Sequence, residues 1–370
     1  MNMIELHILQ SFPVTCLNRD DVGAPKSALF GGTHRARVSS QCWKRAIRMQ
    51  AQNTAPDAFA GQRTRFVVRQ LKDAFIAKGE NENRAELLAT AAADAIGKLD
   101  DAEKGNVKTL LYFSPSELSG VVDAMLECEF GEELETAYDS EAKKQDQDKA
   151  LKNVRKQTEK AVKKFGTKVK DAADIAVFGR MVADDHSLMV EGAGLFSHAL
   201  STHSVSNEID FFSAVDDKNV LGDEGAGHIG TLEFNSACYY RYVGLNLDLL
   251  KDEDHLQHFT AEELQTVVDA FLRAGIKAVP EARKNSMFGH NPPAYVLGFQ
   301  RSGQPLSLVN AFEAPVRSSS GYVEESKQRL NSHWENLANT YCLKNDVTAE
   351  AAIPDLNIDE FINKLTKGVD

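Results

Sequence analysis

The order of apolar and polar positions along the chain predicts strands near both ends of the sequence and a long helical stretch between them. Alternating apolar and polar side chains are typical of strands, whereas apolar residues spaced three or four apart are typical of helices. The predicted strands are residues 3–10, 173–182, 231–247, 294–299 and 306–312. The predicted helices are residues 41–52, 66–77, 84–99, 115–130, 141–169 and 261–279, with a short helix in the tail 354–367.

This order of elements predicts an α+β fold. A strand, a helix, two further strands, a helix and a final strand are typical of the split βαβ, or ferredoxin-like, arrangement. The helical stretch from residue 56 to about residue 170 then forms an insertion after the first strand and helix. A hydrophobic content of 42% and a length of 370 residues allow an ample core.

Charge is strongly segregated along the chain. The formal net charge of the whole chain is −12. An evenly distributed charge of this sign would argue against a nucleic-acid partner. However, residues 22–52 contain six Lys or Arg and no acid, and residues 143–170 carry a net charge of +8. The rest of the chain therefore carries −26, and a polyphosphate responds to local charge within a Debye length of about 8–10 Å.

The first basic tract has the local pattern of a turn, a strand, a helix cap and a helix. Ser39 or Ser40 can cap the helix, and Lys44 and Arg48, four residues apart, share one of its faces. Free N–H groups at the start of the helix, with the Ser40 hydroxyl and the Gln41 amide, would add neutral donors for an anion. The tract is either a phosphate-backbone site or a basic helix that is exposed or contacts another subunit.

The second basic tract consists of strong helix formers with cations on all faces, which favours a solvated helix over a binding site. We keep it as a secondary basic surface.

Several motifs do not predict a cofactor or metal site. Gly225–Gly230 has the spacing G-x-G-x-x-G, but two acids precede it and a strand pattern follows it, whereas a dinucleotide site needs a strand before and a helix after the glycines. His255 and His258 lie in a polar loop without a third ligand at a characteristic spacing. The five cysteines form no C-x-x-C pair. We therefore expect no cofactor and no metal.

The sequence has neither a secretory signal pattern nor an apolar run of about 18 residues, so the cytoplasm is the expected location and no membrane contact is expected.

The segment 206–230 is acidic and rich in glycine, yet apolar residues are scattered through it. It is typical of an extended hairpin arm. Its apolar residues either need a partner outside the chain or pack onto the body of the same chain, and the pattern does not separate the two. These apolar residues are Ile209, Phe211, Phe212, Val215, Val220 and Leu221.

Several ordered motifs resemble the CasC family, the backbone subunits of the type I-E CRISPR surveillance complex Cascade. The resemblance extends from the first strand nearly to the end and is weakest in the helical insertion and the tail. The matching positions are Cys16-Leu-Asn-Arg-Asp-Asp21, Lys26, Phe30-Gly-Gly32, Arg37-Val-Ser-Ser-Gln41, Lys44-Arg45-Ala46, Gly179-Arg-Met181, Thr202-His203, Ile209-Asp-Phe-Phe-Ser-Ala-Val-Asp-Asp217, His228-Ile-Gly-Thr231, Glu233-Phe234, Tyr240-Arg-Tyr242 and Asn310-Ala-Phe-Glu313.

The resemblance implies a hand-shaped subunit with an RRM-like palm, a helical fingers insertion and a β-hairpin thumb. The implied palm is residues 1–55, 173–204 and 232–370, the last part including a C-terminal helix. The implied fingers are residues 56–172 and the implied thumb is residues 205–231.

The resemblance also implies the residues that contact CRISPR RNA. Met181 matches an apolar wedge beside a displaced nucleotide, while Phe212, Ser213 and Val215 match thumb residues that reach over RNA on the neighbouring subunit. The residues that match backbone-binding positions of the palm are Arg19, Lys26, Ser40, Gln41, Lys44, Arg45 and Arg48.

The family's function implies a non-catalytic subunit that polymerises along the guide RNA. Its implied partners are CRISPR RNA, target DNA through guide pairing, neighbouring copies of itself and other Cascade subunits, with cutting done by a recruited helicase-nuclease. Two other functions remain open from the sequence. One is an RNA-processing ribonuclease with a histidine base, because split βαβ folds also host such enzymes, and the other is a stand-alone single-stranded RNA-binding protein.

Overall fold

The computed structural model describes residues 1–100, 105–139, 141–163, 169–181, 188–214 and 228–369. The chain divides into two compact units. The sheet unit comprises Met1–Thr54, Gly194–Leu249 and Ala261–Asp370, and the helical unit comprises Ala55–Ala193 and Leu250–Thr260. The helical unit is thus an insertion in the sheet unit that begins directly after the first helix.

The sheet unit is built on one antiparallel sheet. Its strands are β1 (Asn2–Thr15), β2 (Ser27–Phe30), β3 (Thr33–Val38), β6 (Gly194–Phe196), β7 (Ala199–Ser201), β8 (Glu208–Ala214), β9 (His228–Asn246), β10 (Tyr295–Ser302) and β11 (Val347–Ile353). The order across the sheet is β11-β10-β1-β9-β7-β3-β2, and β6 and β8 also pair with β9. β1 lies between β10 and β9 and is antiparallel to both.

Helices cover both faces of this sheet, which is why nearly all of β1 is buried rather than every second residue. The helices are α1 (Ser40–Thr54), α8 (Leu247–Leu250), α9 (Ala261–Lys277), α10 (Val323–Thr340) and α11 (Ile358–Leu365). On one face, the guanidinium of Arg241 lies 4.3 Å from the ring of Trp43 on α1 and donates to two carbonyls of α9. On the other face, Trp334 of α10 packs against Phe299 of β10, with ring centroids 4.3 Å apart.

The helical unit has its own apolar core, formed by the buried faces of helices that surround a short two-stranded sheet. Its elements are β4 (Gln62–Thr64), α2 (Val67–Ala77), α3 (Glu82–Gly97), β5 (Leu111–Phe113), α4 (Pro115–Leu126), α5 (Glu133–Tyr138), α6 (Lys144–Val162) and α7 (Ala173–Phe178). Ser114 and Glu117 form a capping box at the start of α4, which fixes the position of that helix relative to β5.

Two predicted strands are wrong. Residues 173–178 form the helix α7, and all six of its side chains, including the polar Asp174, are buried, so no alternation of polar and apolar faces indicates the period of a helix. Residues 306–312 contain a 3-10 turn at Val309–Phe312 instead of a strand. Tyr240 holds the chain before that turn, because its hydroxyl accepts the N–H of Leu308 at 2.9 Å.

A buried polar network lies between β1 and its neighbours. The carboxylate of Glu5 forms an ion pair with Arg301 and accepts the hydroxyl of Tyr242 at 2.6 Å. Two residues along β1, His7 lies 3.0 Å from the hydroxyl of Tyr240. Burial, and to a lesser degree the charge of Arg301, lowers the pKa of His7 to about 3, so its neutral ring accepts the Tyr240 hydrogen.

This lowered pKa makes stability depend on pH. In the unfolded chain His7 protonates below about pH 6.5, whereas in the folded chain it stays neutral down to about 3. The contribution of the neutral His7 ring to the free energy of unfolding is therefore complete above pH 6.5. It decreases by up to about 1.4 kcal/mol per pH unit as the pH falls from 6.5 towards 3. We expect His7→Asn, which keeps an acceptor for Tyr240, to reduce the loss of unfolding free energy between pH 7 and pH 5, measured by urea unfolding. The control His34→Asn replaces an exposed histidine, and an equal effect of both variants would contradict the assignment to His7.

Candidate nucleic-acid interface

The first turn of α1 is fixed by caps from two segments. Ser39 is the cap residue, because its Oγ accepts the N–H of Cys42 at 3.3 Å. Asn18 holds the cap in turn, since its Oδ1 accepts the N–H of Ser39 at 2.9 Å and its carbonyl accepts the N–H of Lys26 at 3.0 Å. The loop that carries Arg19 and Lys26 is therefore anchored to the start of α1.

This loop is a compact turn built around Asp20. The Asp20 carboxylate accepts the N–H groups of Val22 and Ala24 at 3.0 and 2.9 Å. The turn leaves Arg19 exposed on the same side of the sheet unit as Arg45, because both residues line one cleft.

The predicted cations of α1 lie on two flanks of the helix. Trp43, Ile47 and Ala51 form the buried face. Lys44 lies on one flank, where its Nζ is 5.4 Å from the ring centroid of Phe196 on β6, and Arg48 follows one turn later. Arg45 lies on the other flank, in the cleft of about 960 Å³ with Arg19, and the exposed Gln41 lies between the two flanks.

The cleft also contains acidic groups that the sequence did not indicate as part of the site. Glu281 lines it and pairs with Lys284 at 2.6 Å. This hydrogen bond, with smaller contributions from Arg45 and His290, lowers the pKa of Glu281. The carboxylate therefore remains charged and partly offsets the positive potential of this flank. No local pattern could have placed residue 281 beside α1.

One cation of the first basic tract is structural. Arg35 is fully buried and donates to the carbonyls of Ser201, Phe312 and Glu313 at 3.0, 2.9 and 3.2 Å. The adjacent turn requires glycine, since Gly31 has a φ of 56° and a Cβ there would lie 1.7 Å from the Glu313 carbonyl oxygen. The motifs around Gly31 and Glu313 are thus two sides of one contact.

The expectation that the amide groups at the start of α1 are free is wrong for Ser40. Its N–H donates to Nδ1 of His198 at 3.0 Å, while its hydroxyl lies 3.4 Å from the Gln41 Oε1. A long-range contact of this kind has no sequence signal.

The Gly179-Arg-Met181 motif of the helical unit presents Met181 at the surface. Arg180 is buried, donates to the Leu188 carbonyl at 2.8 Å and forms an ion pair with Glu117 at 2.7 Å. Gly179 has a φ of 79°, and a Cβ there would come within 3.0 Å of the Val190 carbonyl oxygen. Met181 follows this anchored turn with 79% of its surface exposed.

The β8–β9 hairpin carries an apolar face without cover from the described residues. Ile209 and Phe211 are 70% and 64% exposed, and they alternate along β8 so that both lie on one face. Phe212 is half-buried against Gly230, its partner on β9, and Ser213 is exposed. Val215, Val220 and Leu221 lie outside the described residues.

The histidine pair in the polar loop binds backbone carbonyls. Nε2–H of His255 donates to Glu191 at 2.7 Å, and Nε2–H of His258 donates to Val169 at 2.9 Å. Within the part of the chain that the structure describes, no cluster of three or more His, Cys, Asp or Glu is placed to hold a metal ion. Gly225 and Gly227 of the G-x-G-x-x-G motif lie outside the described residues, and Gly230 lies within β9 rather than before a helix.

None of the helices in the described ranges combines the length and the apolar character needed to cross a membrane.

Comparisons with known proteins give consistent matches. A family model described as "CT1975-like protein" matches residues 4–365. A solved structure described as "CRISPR RNA-guided surveillance complex, pre-nicking" contains a chain that is 26% identical, with a TM-score of 0.79 over 98% of this chain and 100% of that chain. A chain of a second structure, "CRISPR RNA-guided surveillance complex", is 22% identical and has a TM-score of 0.67 over 99% of both chains, which shows the same fold. No curated protein matches the chain.

The anchor beneath Met181 gives a prediction. Arg180→Ala leaves the Glu117 carboxylate buried without its partner, so we expect a loss of about 3–5 kcal/mol in unfolding free energy. The control Arg155→Ala breaks an exposed ion pair with Glu159 in the same unit and should cost less than about 1 kcal/mol. Urea unfolding measures both. Similar losses in the two variants would show that Arg180 does not anchor the motif.

Proposed function

Because the chain belongs to the CT1975-like family, we propose that it is an RNA-binding backbone subunit of a CRISPR surveillance complex. The likeness to a complete chain of an RNA-guided surveillance complex supports this proposal. The strand order β10-β1-β9-β7, with α1 and α9 packed against each other, supports the further proposal that the sheet unit is an RRM-like palm. The type I-E assignment rests on the sequence motifs.

The observation that carries the proposal is the set of cations around the start of α1. Although the chain has a net charge of −12, Arg19, Lys26, Lys44, Arg45 and Arg48 lie on α1 and on the loop that Asn18 anchors to it. Basic side chains arranged in this way bind phosphates without reading bases. A guide-binding subunit needs this property, because it must accept any guide sequence and leave the bases free to pair with target DNA.

The β8–β9 hairpin supports self-assembly. Ile209 and Phe211 form an exposed apolar face on this two-stranded ribbon, and the exposure of that face to water is energetically unfavourable. In the proposed filament this face, which includes Ser213, contacts the neighbouring copy and the RNA that it holds, and Phe212 contributes from the opposite face of β8. Met181 serves as the apolar wedge beside a displaced nucleotide.

In this proposal the subunit itself performs no catalysis. Its partners are CRISPR RNA, neighbouring copies and the other subunits of the complex, and target DNA is bound through pairing with the guide. A recruited helicase-nuclease cuts the target.

The α1 cations should account for part of the salt dependence of RNA binding. The binding constant K falls as salt rises, and each phosphate of a single strand that a cation neutralises adds about 0.7 to the magnitude of the slope of log K against log salt concentration. We therefore expect Lys44→Ala with Arg48→Ala to reduce the magnitude of this slope by about 1.4. The loss of affinity should be similar for unrelated RNA sequences, as measured by filter binding at several salt concentrations. The control Lys152→Ala with Lys156→Ala removes two exposed cations with the same spacing from α6. An equal fall in the control would place binding on the secondary basic surface instead.

The exposed face of the hairpin should be needed for assembly and not for folding. We expect Ile209→Ser with Phe211→Ser to leave the thermal unfolding midpoint unchanged but to abolish the ordered arc of subunits on guide-length RNA in electron micrographs. The control Phe288→Ser alters a side chain of the sheet unit that is 74% exposed. A destabilised double variant would indicate that the two residues pack on the chain itself.

A further inference from the structure

The chain segment that re-enters the sheet unit lies along the first turns of α1. Phe196 contacts Lys44, and His198 accepts the N–H of Ser40. Ser197, between them, is held on β9, since its Oγ accepts the N–H of Tyr242 at 3.3 Å and its N–H donates to the Tyr242 carbonyl at 3.3 Å. The half-buried Phe196 and the exposed His198 thus contact two predicted RNA-binding residues.

The contact with Ser40 fixes the tautomer of His198. Nδ1 accepts a hydrogen bond and therefore carries no hydrogen, so Nε2 is the nitrogen that carries one. Partial burial of the ring, followed by repulsion from Arg37 and Lys26, lowers the pKa of His198. The ring is neutral at pH 7, and because His198 is exposed at the surface, Nε2–H is available as a donor.

The surroundings of this donor favour an anion. Arg37 lies on β3, where its Nε donates to the Ser27 carbonyl at 3.2 Å, and Lys26 precedes β2. Both are close enough to lower the pKa of the imidazole. A neutral donor near two cations, beside the start of a 15-residue helix, suits a phosphate oxygen better than a base edge, which presents donors as well as acceptors.

We propose that His198 is a further RNA-backbone contact, which holds the Ser40 amide through Nδ1 and donates Nε2–H to a phosphate oxygen beside Lys26 and Arg37. This inference rests on the proposed function, because it assumes that the start of α1 binds RNA.

A neutral contact differs from a cationic one in its response to salt. Cations release counterions on binding and so steepen the dependence of affinity on salt, whereas a neutral N–H group does not. A hydrogen bond to a charged group still contributes substantially to affinity. His198 should therefore affect affinity at every salt concentration without changing the slope.

Three substitutions separate the two nitrogens. Asn can reproduce the Nδ1 acceptor for Ser40 but does not reach the phosphate, while Gln can place an N–H donor near the position of Nε2. We expect His198→Ala and His198→Asn to weaken binding of guide-length RNA by about tenfold with an unchanged salt slope. His198→Gln should bind within about threefold of the unsubstituted protein. His333→Gln on α10 is the control, and thermal unfolding midpoints establish that each variant is folded.

The outcomes are distinguishable from those for the proposed function itself. If His198→Asn binds as the unsubstituted protein does and His198→Gln binds as weakly as His198→Ala, the residue only positions Ser40 and the proposal is overturned. A reduced slope in the His198 variants would also overturn it, since a neutral donor cannot cause one. The Lys44 and Arg48 variants test separately whether α1 binds RNA, because their effect is on the slope.

Discussion

The buried guanidinium of Arg35 joins the parts of the sheet unit on which the candidate interface depends. It lies on β3, directly before α1, and its donors bind carbonyls of β7 and of the turn at Phe312 and Glu313. Buried carbonyls without partners are strongly unfavourable. The hydrogen bonds of Arg35 fix the position of β3, and β3 leads directly into the Ser39 cap of α1. They therefore also fix the position of α1 and of its cations Lys44 and Arg48. A fully buried cation thus positions the less buried cations of the same basic tract.

The interface is electrostatically mixed rather than uniformly basic. One flank of α1 carries Lys44 above an aromatic ring, while the other places Arg45 in a cleft with Glu281. The acid lowers the attraction of an anion at long range, so a phosphate of the proposed RNA ligand would gain most binding energy where cations and neutral donors converge at short range. Such an arrangement favours a strand that follows the surface in one register over polyanions that merely approach it.

Local sequence signals predict the parts of the fold that are locally determined. The Ser39 cap and the spacing of Trp43 and Ile47 predict α1, and alternation predicts β9. Helix α10 escapes prediction because its buried stripe, at Leu330, Trp334 and Ala338, is narrow among charged residues, and α7 has the pattern of a buried strand because it is buried all round. The site is predictable where it lies in one motif. Glu281 and His198 lie at the site because segments distant in the sequence contact α1, and such contacts produce no periodic pattern in the sequence.

The exposed apolar face of the β8–β9 hairpin has a consequence for the free subunit. In the free subunit the side chains of Ile209 and Phe211 are exposed to water, and such an exposed apolar face favours aggregation. Its net charge of −12 acts against this, because identical copies repel one another at long range. In the proposed assembly, the net negative charge of the chain would therefore keep isolated copies apart, and RNA bound along α1 would bring their hairpins together.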